Sequence, residues 1–254
     1  MAVDEAILEA VGSRDALPTL RLYAWEPPCL SLGFAQPARD VDRARLARNG
    51  WGLVRRPTGG RAILHADELT YSVIAPLDEP RVAGKVLESY RRLSGALLSA
   101  LEELGLPAQA DKEYVPVQGT QPGGAVCFET PSNYEITVAG KKLVGSAQAR
   151  RKEGVLQHGS LPLRGDLTRV TQALAYPDEA ARARAAQRLL EHAATVEMLG
   201  QTCTWEECAA AFKAAFEQTL QITFQTAELT TPELLRAGAL VEQKYANPAW
   251  TERL

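Results

Sequence analysis

A chain of 254 residues, 46% apolar and 23% charged, is long enough for one large or two modest domains around a substantial core. Its net charge of −3 at pH 7 argues against a general nucleic-acid binder, which carries a basic face. No run of eighteen apolar residues is present and Asp4, Glu5 and Glu9 stand where an export signal has cations, so a soluble, cytoplasmic protein without a membrane partner is expected.

Val3, Ile7, Leu8 and Val11 recur at helical spacing, so the chain opens on a helix. Leu20 to Trp25 alternates as a strand, Pro27-Pro28 interrupts it, and Cys29 to Phe34 resumes extended character. A short helix over Val41 to Asn49 stops at Gly50. Leu53 to Arg56 is then a strand running into the Gly59-Gly60 turn, Ala62 to Leu64 leaves that turn, and Leu69 to Ala75 is a further strand. Val86, Tyr90, Leu93, Leu97, Leu101 and Leu104 mark the clearest helix, with Gly105 at its C-terminal cap. Beyond the glycine-rich loop Gln118 to Gly124, strands are expected over Ala125 to Glu129, Tyr134 to Val138 and Lys142 to Gln148, the last two joined at Ala139-Gly140. Val155 to His158 and Leu161 to Leu163 extend the sheet. Few βαβ alternations occur, which predicts an α+β sheet with helices on one face. From Asp166 the chain turns helical: Asp178 to His192, then a helix opened by the capping box Thr204-Trp-Glu-Glu207, a strand over Leu220 to Gln225, and a last helix at Thr231-Pro232.

Four cysteines without an export signal are expected as free thiols. Cys203 and Cys208 are not at zinc spacing and only three histidines exist, so no metal site is expected. Cys208 lies on a helical apolar stripe and Cys29 in an apolar strand, both core positions, and Cys203 has no charged neighbour in sequence. Cys127 differs, because a hairpin connects it to Lys141-Lys142, fifteen residues on for Lys142 (127 to 142). A free thiol titrates at about 8.5, and an adjacent cation lowers that by a unit or more, creating a nucleophile at neutral pH. Alternation puts Lys141 and Lys142 on opposite faces, and Lys142, which leads to the small residues Gly145, Ser146 and Ala147, is the one expected at the site. The turn Arg55-Arg56-Pro57-Thr58-Gly59-Gly60-Arg61 sets guanidinium groups beside exposed backbone N–H groups, an arrangement that holds an anion or a carbonyl oxygen, or else is only a surface turn. His65 and His158 are each open to a structural or a proton-carrying reading.

Together these segments resemble the lipoate-attachment superfamily, whose catalytic domain is shared with biotin protein ligases. Within it they resemble the cysteine-dependent octanoyltransferases that begin lipoate assembly in many bacteria. The resemblance runs through Met1 to Ala6, Arg55 to Arg61, His65, Glu68 to Ser72, Cys127 to Glu135, Gly140 to Gln148, Leu156 to Ser160 and Lys244 to Trp250. It implies an α+β fold, a mixed or antiparallel sheet packed by helices, with residues 1–200 as the catalytic domain and 201–254 as a small, helix-rich α/β appendage. Family members usually carry a strand and turn ahead of the first helix. The sheet is therefore expected to lack an N-terminal edge strand, or the start has been assigned too late.

The resemblance also implies a reaction that needs no cofactor. Cys127 attacks octanoyl-acyl carrier protein, and the lysine of a lipoyl domain, typically the glycine-cleavage H protein, then takes the acyl group. Lys142 lowers the pKa of the Cys127 thiol. Arg55, Arg56, Thr58, Gly59, Gly60, Arg61, His65, Tyr134, Gly145, Ser146, Ala147 and His158 bind substrate, with the glycine turn and the Gly145-Ser146-Ala147 segment walling an apolar tunnel. Three rivals remain. An ATP-dependent lipoate–protein ligase needs no thiol at position 127, an amidotransferase takes octanoyl from H protein, and a non-enzymatic binder only recognises lipoyl domains.

Overall fold

The computed structural model describes residues 1–110 and 135–254. The expected strand Ala125 to Glu129, the loop before it, Cys127 and Tyr134 lie outside the described residues.

The body is a six-stranded antiparallel sheet in the order β1-β5-β9-β8-β7-β6. Its strands are β1 (Thr19–Tyr23), β5 (Glu68–Ala75), β6 (Gln109–Ala110), β7 (Ile136–Val138), β8 (Lys141–Arg151) and β9 (Gly154–Pro162). A smaller sheet, β3-β2-β4, joins β2 (Cys29–Leu32) in parallel to β3 (Gly52–Arg55) and antiparallel to β4 (Ile63–His65). Ala139 and Gly140 both have positive φ (50° and 75°), the conformation a two-residue hairpin between β7 and β8 requires. The two strand segments expected at 155–158 and 161–163 are one strand, continuous through Gly159. There a Cβ would lie 2.5 Å from Tyr71 Cε1 and 2.6 Å from the Gly145 carbonyl oxygen, so only glycine lets β9 pack so closely.

Helices cover both faces of the large sheet, which corrects the expectation of one covered face. The alternation of β5 and β9 explains it: Leu69, Tyr71, Ala75, Val155 and Leu161 face one way, Ile74 and Leu156 the other. Against the first set pack α3 (Val86–Glu103) and α6 (Trp205–Leu220), through Leu93, Leu97 and Leu101 of the one and Phe212 and Phe216 of the other. Each of those fully buried leucines contributes about 2 kcal/mol. Against the second set packs α1 (Ala2–Gly12), through Ile7, Leu8 and Val11. The short α2 (Arg43–Arg48) and α4 (Arg169–Gln172), with α5 (Glu179–His192), gather around the small sheet, where Leu46, Val170 and Leu189 bury against Leu30 and Leu32.

The C-terminal residues are helical. Thr204 and Glu207 form the expected reciprocal cap of α6, the Glu207 N–H donating to Thr204 Oγ1 at 3.2 Å and the Thr204 N–H to Glu207 Oε2 at 2.7 Å. No strand forms over 220–225, a correction that also removes the β part of the expected α/β appendage. After Gln221 (φ 54°) the Phe224 N–H is taken by the Glu217 carboxylate at 2.8 Å, so a side chain supplies the partner a ladder would have given. Next, α7 (Thr231–Leu240) lies on α1, with Ala237 and Leu240 against Ala2 and Ala6. A π-helical turn (Val241–Tyr245) and α8 (Pro248–Thr251) then bring the chain back to β3.

Cys203 and Cys208 are joined as a disulfide with Cα atoms 6.4 Å apart, which corrects the expectation of free thiols there. The first turn of α6 brings position 208 back over 203. Among the described residues no helix is long and apolar enough to cross a membrane.

Candidate active site

The glycine turn is built from its arginines outward. Arg55 ends β3 wholly buried, its guanidinium donating to the Gly33 carbonyl at 2.9 Å, the Gln36 carbonyl at 2.5 Å and the Thr251 carbonyl at 2.8 Å. It does not line the cavity described below, and its guanidinium braces three carbonyls instead. Arg56 turns the other way. It donates to the carbonyls of Gly59 (2.8 Å), Arg61 (2.7 Å) and Ser31 (3.0 Å), holding the turn in shape from inside. Gly33 makes room: a Cβ there would stand 1.8 Å from the Gly60 carbonyl oxygen, while Gly60 itself has φ 91°.

His65, at the end of β4, is clamped on three sides. Its Nδ1 meets Glu68 Oε1 at 2.6 Å, its Nε2 meets Ser31 Oγ at 2.8 Å, and the Trp25 ring stacks on it at 4.3 Å. A carboxylate only accepts, so Nδ1 carries a proton, while Nε2 shares its hydrogen bond with the Ser31 hydroxyl, which also receives an Arg56 N–H at 3.1 Å. Glu68 also accepts from Ser160 Oγ and Thr70 Oγ1. On β9, His158 Nε2 shares a hydrogen bond of 2.6 Å with Thr58 Oγ1. Burial pushes the His158 imidazole down to about 3, with the Arg56 charge adding to the effect and Asp4 opposing it. The ring is therefore held neutral at pH 7, with Thr58 as its hydrogen-bond partner. Thr58 stands behind His158 and does not line the cavity. Asp4, fully buried under β5, accepts from Arg21 Nη1 at 2.9 Å and Ser72 Oγ at 3.0 Å. Burial would raise its pKa, but the N-terminal ammonium and Arg21 outweigh it and hold the carboxyl at about 2.

Strand β8 supplies the other wall. Gly145 and Ala147 register with Ser160 and His158, and Ser146 Oγ reaches Tyr71 OH at 2.6 Å. Gln157 Nε2 donates to the same phenol at 3.1 Å, and Gln148 Nε2 donates to Gln157 Oε1 at 2.9 Å. Lys142 is buried, 4% exposed, with Nζ 2.5 Å from Glu135 Oε1. Lys141 points elsewhere, its ammonium donating to the Leu190 carbonyl at 2.6 Å.

These elements enclose a cavity of about 490 Å³. Of the residues expected at the site, Arg56, Gly59, Gly60, Arg61, His65, Lys142, Gly145, Ser146, Ala147 and His158 line it, while Arg55 and Thr58 do not. Sequence reasoning missed Val86, Leu87 and Tyr90, which close the cavity from the first turns of α3. The spacing of Val86 and Tyr90 reads as the core stripe of that helix. The missed signal was Leu87, an apolar residue off the stripe: Val86 and Leu87 are 44% and 45% exposed, apolar surface at an opening rather than in a core.

The cysteines sort by their surroundings. Burial pushes the Cys29 thiol up to about 12, and Cys203 and Cys208 are bonded to each other. Among the described residues no cysteine is thus a nucleophile at neutral pH.

Chain-wide comparisons agree with this architecture. The chain is 41% identical over 255 residues to octanoyltransferase LipM of Exiguobacterium sibiricum, covering 98% of this chain and 92% of that protein. Its fold is similar to that of the bipartite lipoate protein ligase of Thermoplasma acidophilum (TM-score 0.80, 27% identity, 99% of this chain and 89% of the other). A lipoate protein ligase of the same organism with bound lipoic acid matches at TM-score 0.79 and 27% identity, covering 100% of this chain and 92% of the other. The lipoyl protein ligase A/B catalytic domain matches residues 1–217, and the chain belongs to that family.

Proposed function

We propose that this chain is an octanoyltransferase of lipoate biosynthesis, moving an octanoyl group from acyl carrier protein to the lysine of a lipoyl domain, such as that of the glycine-cleavage H protein, by way of a thioester on Cys127. The observation that carries the reading is a buried lysine on the wall of a largely apolar cavity, in a chain 41% identical to a protein named octanoyltransferase. Elimination supports the choice of Cys127, since Cys29 is held protonated by its surroundings and Cys203 and Cys208 are paired.

The Cys127 thiolate attacks the donor thioester carbonyl, a C–S bond forms to Cys127, and the carrier's thiolate leaves. One thioester replaces another at nearly equal energy, so no ATP is consumed. The acceptor's amine, having given up a proton to solvent, then attacks the acyl group. An amide forms, the Cys127 thiolate leaves, and the surplus amine proton is released. Amide formation from a thioester is downhill. The Lys142 ammonium stabilises the thiolate and the oxyanion that develops in each attack. Gly145, Ala147, Val86 and Leu87 contact the acyl chain, and Tyr134 joins the substrate contacts. We place the reaction in the cytoplasm, with residues 1–200 as the catalytic unit.

Intact-mass measurement after mixing with octanoyl-acyl carrier protein tests this reading. A gain of one octanoyl group, absent in Cys127→Ser and discharged by a lipoyl domain, is the expected result. Full turnover by Cys127→Ser, with octanoate and ATP, would instead make the chain a ligase. Octanoylated H protein as the sole effective donor would make it an amidotransferase, and no mass gain at all a binder.

A further inference from the structure

An ammonium withdrawn from water is costly unless a charge matches it. Lys142 is such a group, and the strand beneath it is fixed, its carbonyl accepting the Ala194 N–H at 3.1 Å. The described residues lining the cavity include no carboxylate. Besides Lys142, its titratable lining residues are Arg56, Arg61, His65, His158 and Tyr90, with Met1 beside them and the Met1 ammonium 3.7 Å from Asp4. Glu68 stands behind His65 and is engaged there, while His192, at the end of α5, bonds to the Arg188 carbonyl. Arginine keeps its charge in any such setting, whereas lysine readily gives up its proton. Glu135, immediately before β7 and only 9% exposed, brings a carboxylate oxygen 2.5 Å from Lys142 Nζ.

We propose that Glu135 is a positioning residue whose carboxylate keeps Lys142 in its ammonium form and fixes Nζ at the cavity wall. The proposal rests on the reading of Lys142 as the cation that serves acyl transfer. Glu135 acts through Lys142 and need not touch the acyl group. The hairpin register accommodates the pairing: β7 and β8 are antiparallel neighbours with Thr137 opposite Lys142 and a register shift between Ile136 and Thr137, and Glu135, two residues ahead of Thr137, reaches Lys142 diagonally across the strands. The effect on catalysis is then indirect. A lysine neutral at neutral pH offers neither a counter-charge for a thiolate nor full stabilisation of an oxyanion.

Competitive labelling of amines with acetic anhydride across pH, resolved peptide by peptide, reads Lys142 directly. In the wild-type chain its labelling midpoint is expected at or above the ordinary lysine value of about 10.4. In Glu135→Gln the midpoint falls by at least about one unit, a tenfold gain in labelling at pH 8, and Glu135→Asp recovers part of it. Turnover of octanoyl transfer in Glu135→Gln falls about tenfold, with the KM for donor little changed. A Glu135→Gln midpoint equal to wild type, or labelling raised evenly at every pH as loosened packing would give, overturns the proposal. Should Glu135→Gln not fold, a wild-type midpoint well below the ordinary value overturns it equally. The labelling needs no octanoyl donor, so failure of the pairing and failure of the octanoyltransferase reading are told apart.

Discussion

Thr58 and His158 are one hundred positions apart in sequence and share a hydrogen bond of 2.6 Å that ties the glycine turn to the central strand β9. His158 titrates at about 3 in the fold, against 6.5 for an ordinary histidine. Between those values the unfolded chain binds the proton and the folded one does not, so stability is constant above about pH 7 and declines as pH falls through 6.5 toward 3. The slope from this one group approaches about 1.4 kcal/mol per pH unit. Denaturant melts at pH 7, 6, 5 and 4 should show the decline, and His158→Gln should flatten it. The Asp4 carboxyl, held at about 2, adds its own loss only below about pH 4. An equal slope in His158→Gln would place the acid sensitivity elsewhere.

Gly33→Ala and Gly59→Ala form a matched pair. The first drives a Cβ to within 1.8 Å of the Gly60 carbonyl, backbone against backbone, whereas nothing lies within 4 Å of the second. A loss of about 3 kcal/mol is expected for Gly33→Ala and less than about 0.5 kcal/mol for Gly59→Ala, by chemical denaturation. Equal losses would show that the turn does not depend on this approach.

Arg55→Met leaves the carbonyls of Gly33, Gln36 and Thr251 without their buried donor. We expect a loss of about 3 kcal/mol or more, and Arg55→Lys should restore little of it, since one ammonium does not reproduce the planar fork. Protease sensitivity of the segment after residue 240 should rise in both variants. A stability within about 0.5 kcal/mol of wild type would refute the bracing role.

Ala147→Leu fills part of the cavity wall opposite α3. Each methylene an acyl chain loses from burial is worth about 0.8 kcal/mol, so the preference for octanoyl over hexanoyl donors should fall about tenfold. Competition between the two donors, read by intact mass, measures the ratio. An unchanged ratio would mean the chain runs along another wall.

The sequence reading succeeded where a short-range rule decides the outcome. Alternation through the Ala139-Gly140 hairpin was enough to separate Lys142 from Lys141, and the Thr204–Glu207 cap was visible as a four-residue pattern. It failed where the partner is remote. Arg55 and Arg56 are neighbours in one motif, yet Arg55 is claimed by a carbonyl 196 positions away, which no local pattern announces. Val86 and Tyr90 carry the spacing of a core stripe, and only the strand β8 opposite them makes that stripe a cavity wall. Helices on both faces of the sheet follow from β5 being apolar on both sides, Tyr71 and Ile74 alike being wholly buried.

The Arg55 brace also joins two remote stretches of the chain. The Trp250 indole N–H donates to the Arg55 carbonyl at 2.9 Å while the Arg55 guanidinium holds Thr251, so each end of the clasp fixes the other. Without Trp250 and Thr251 the Arg55 carbonyl and guanidinium each lose a partner that no described residue nearer in sequence supplies. The turn at Pro248–Thr251 is therefore part of the frame that seats β3, although some two hundred positions of chain separate them.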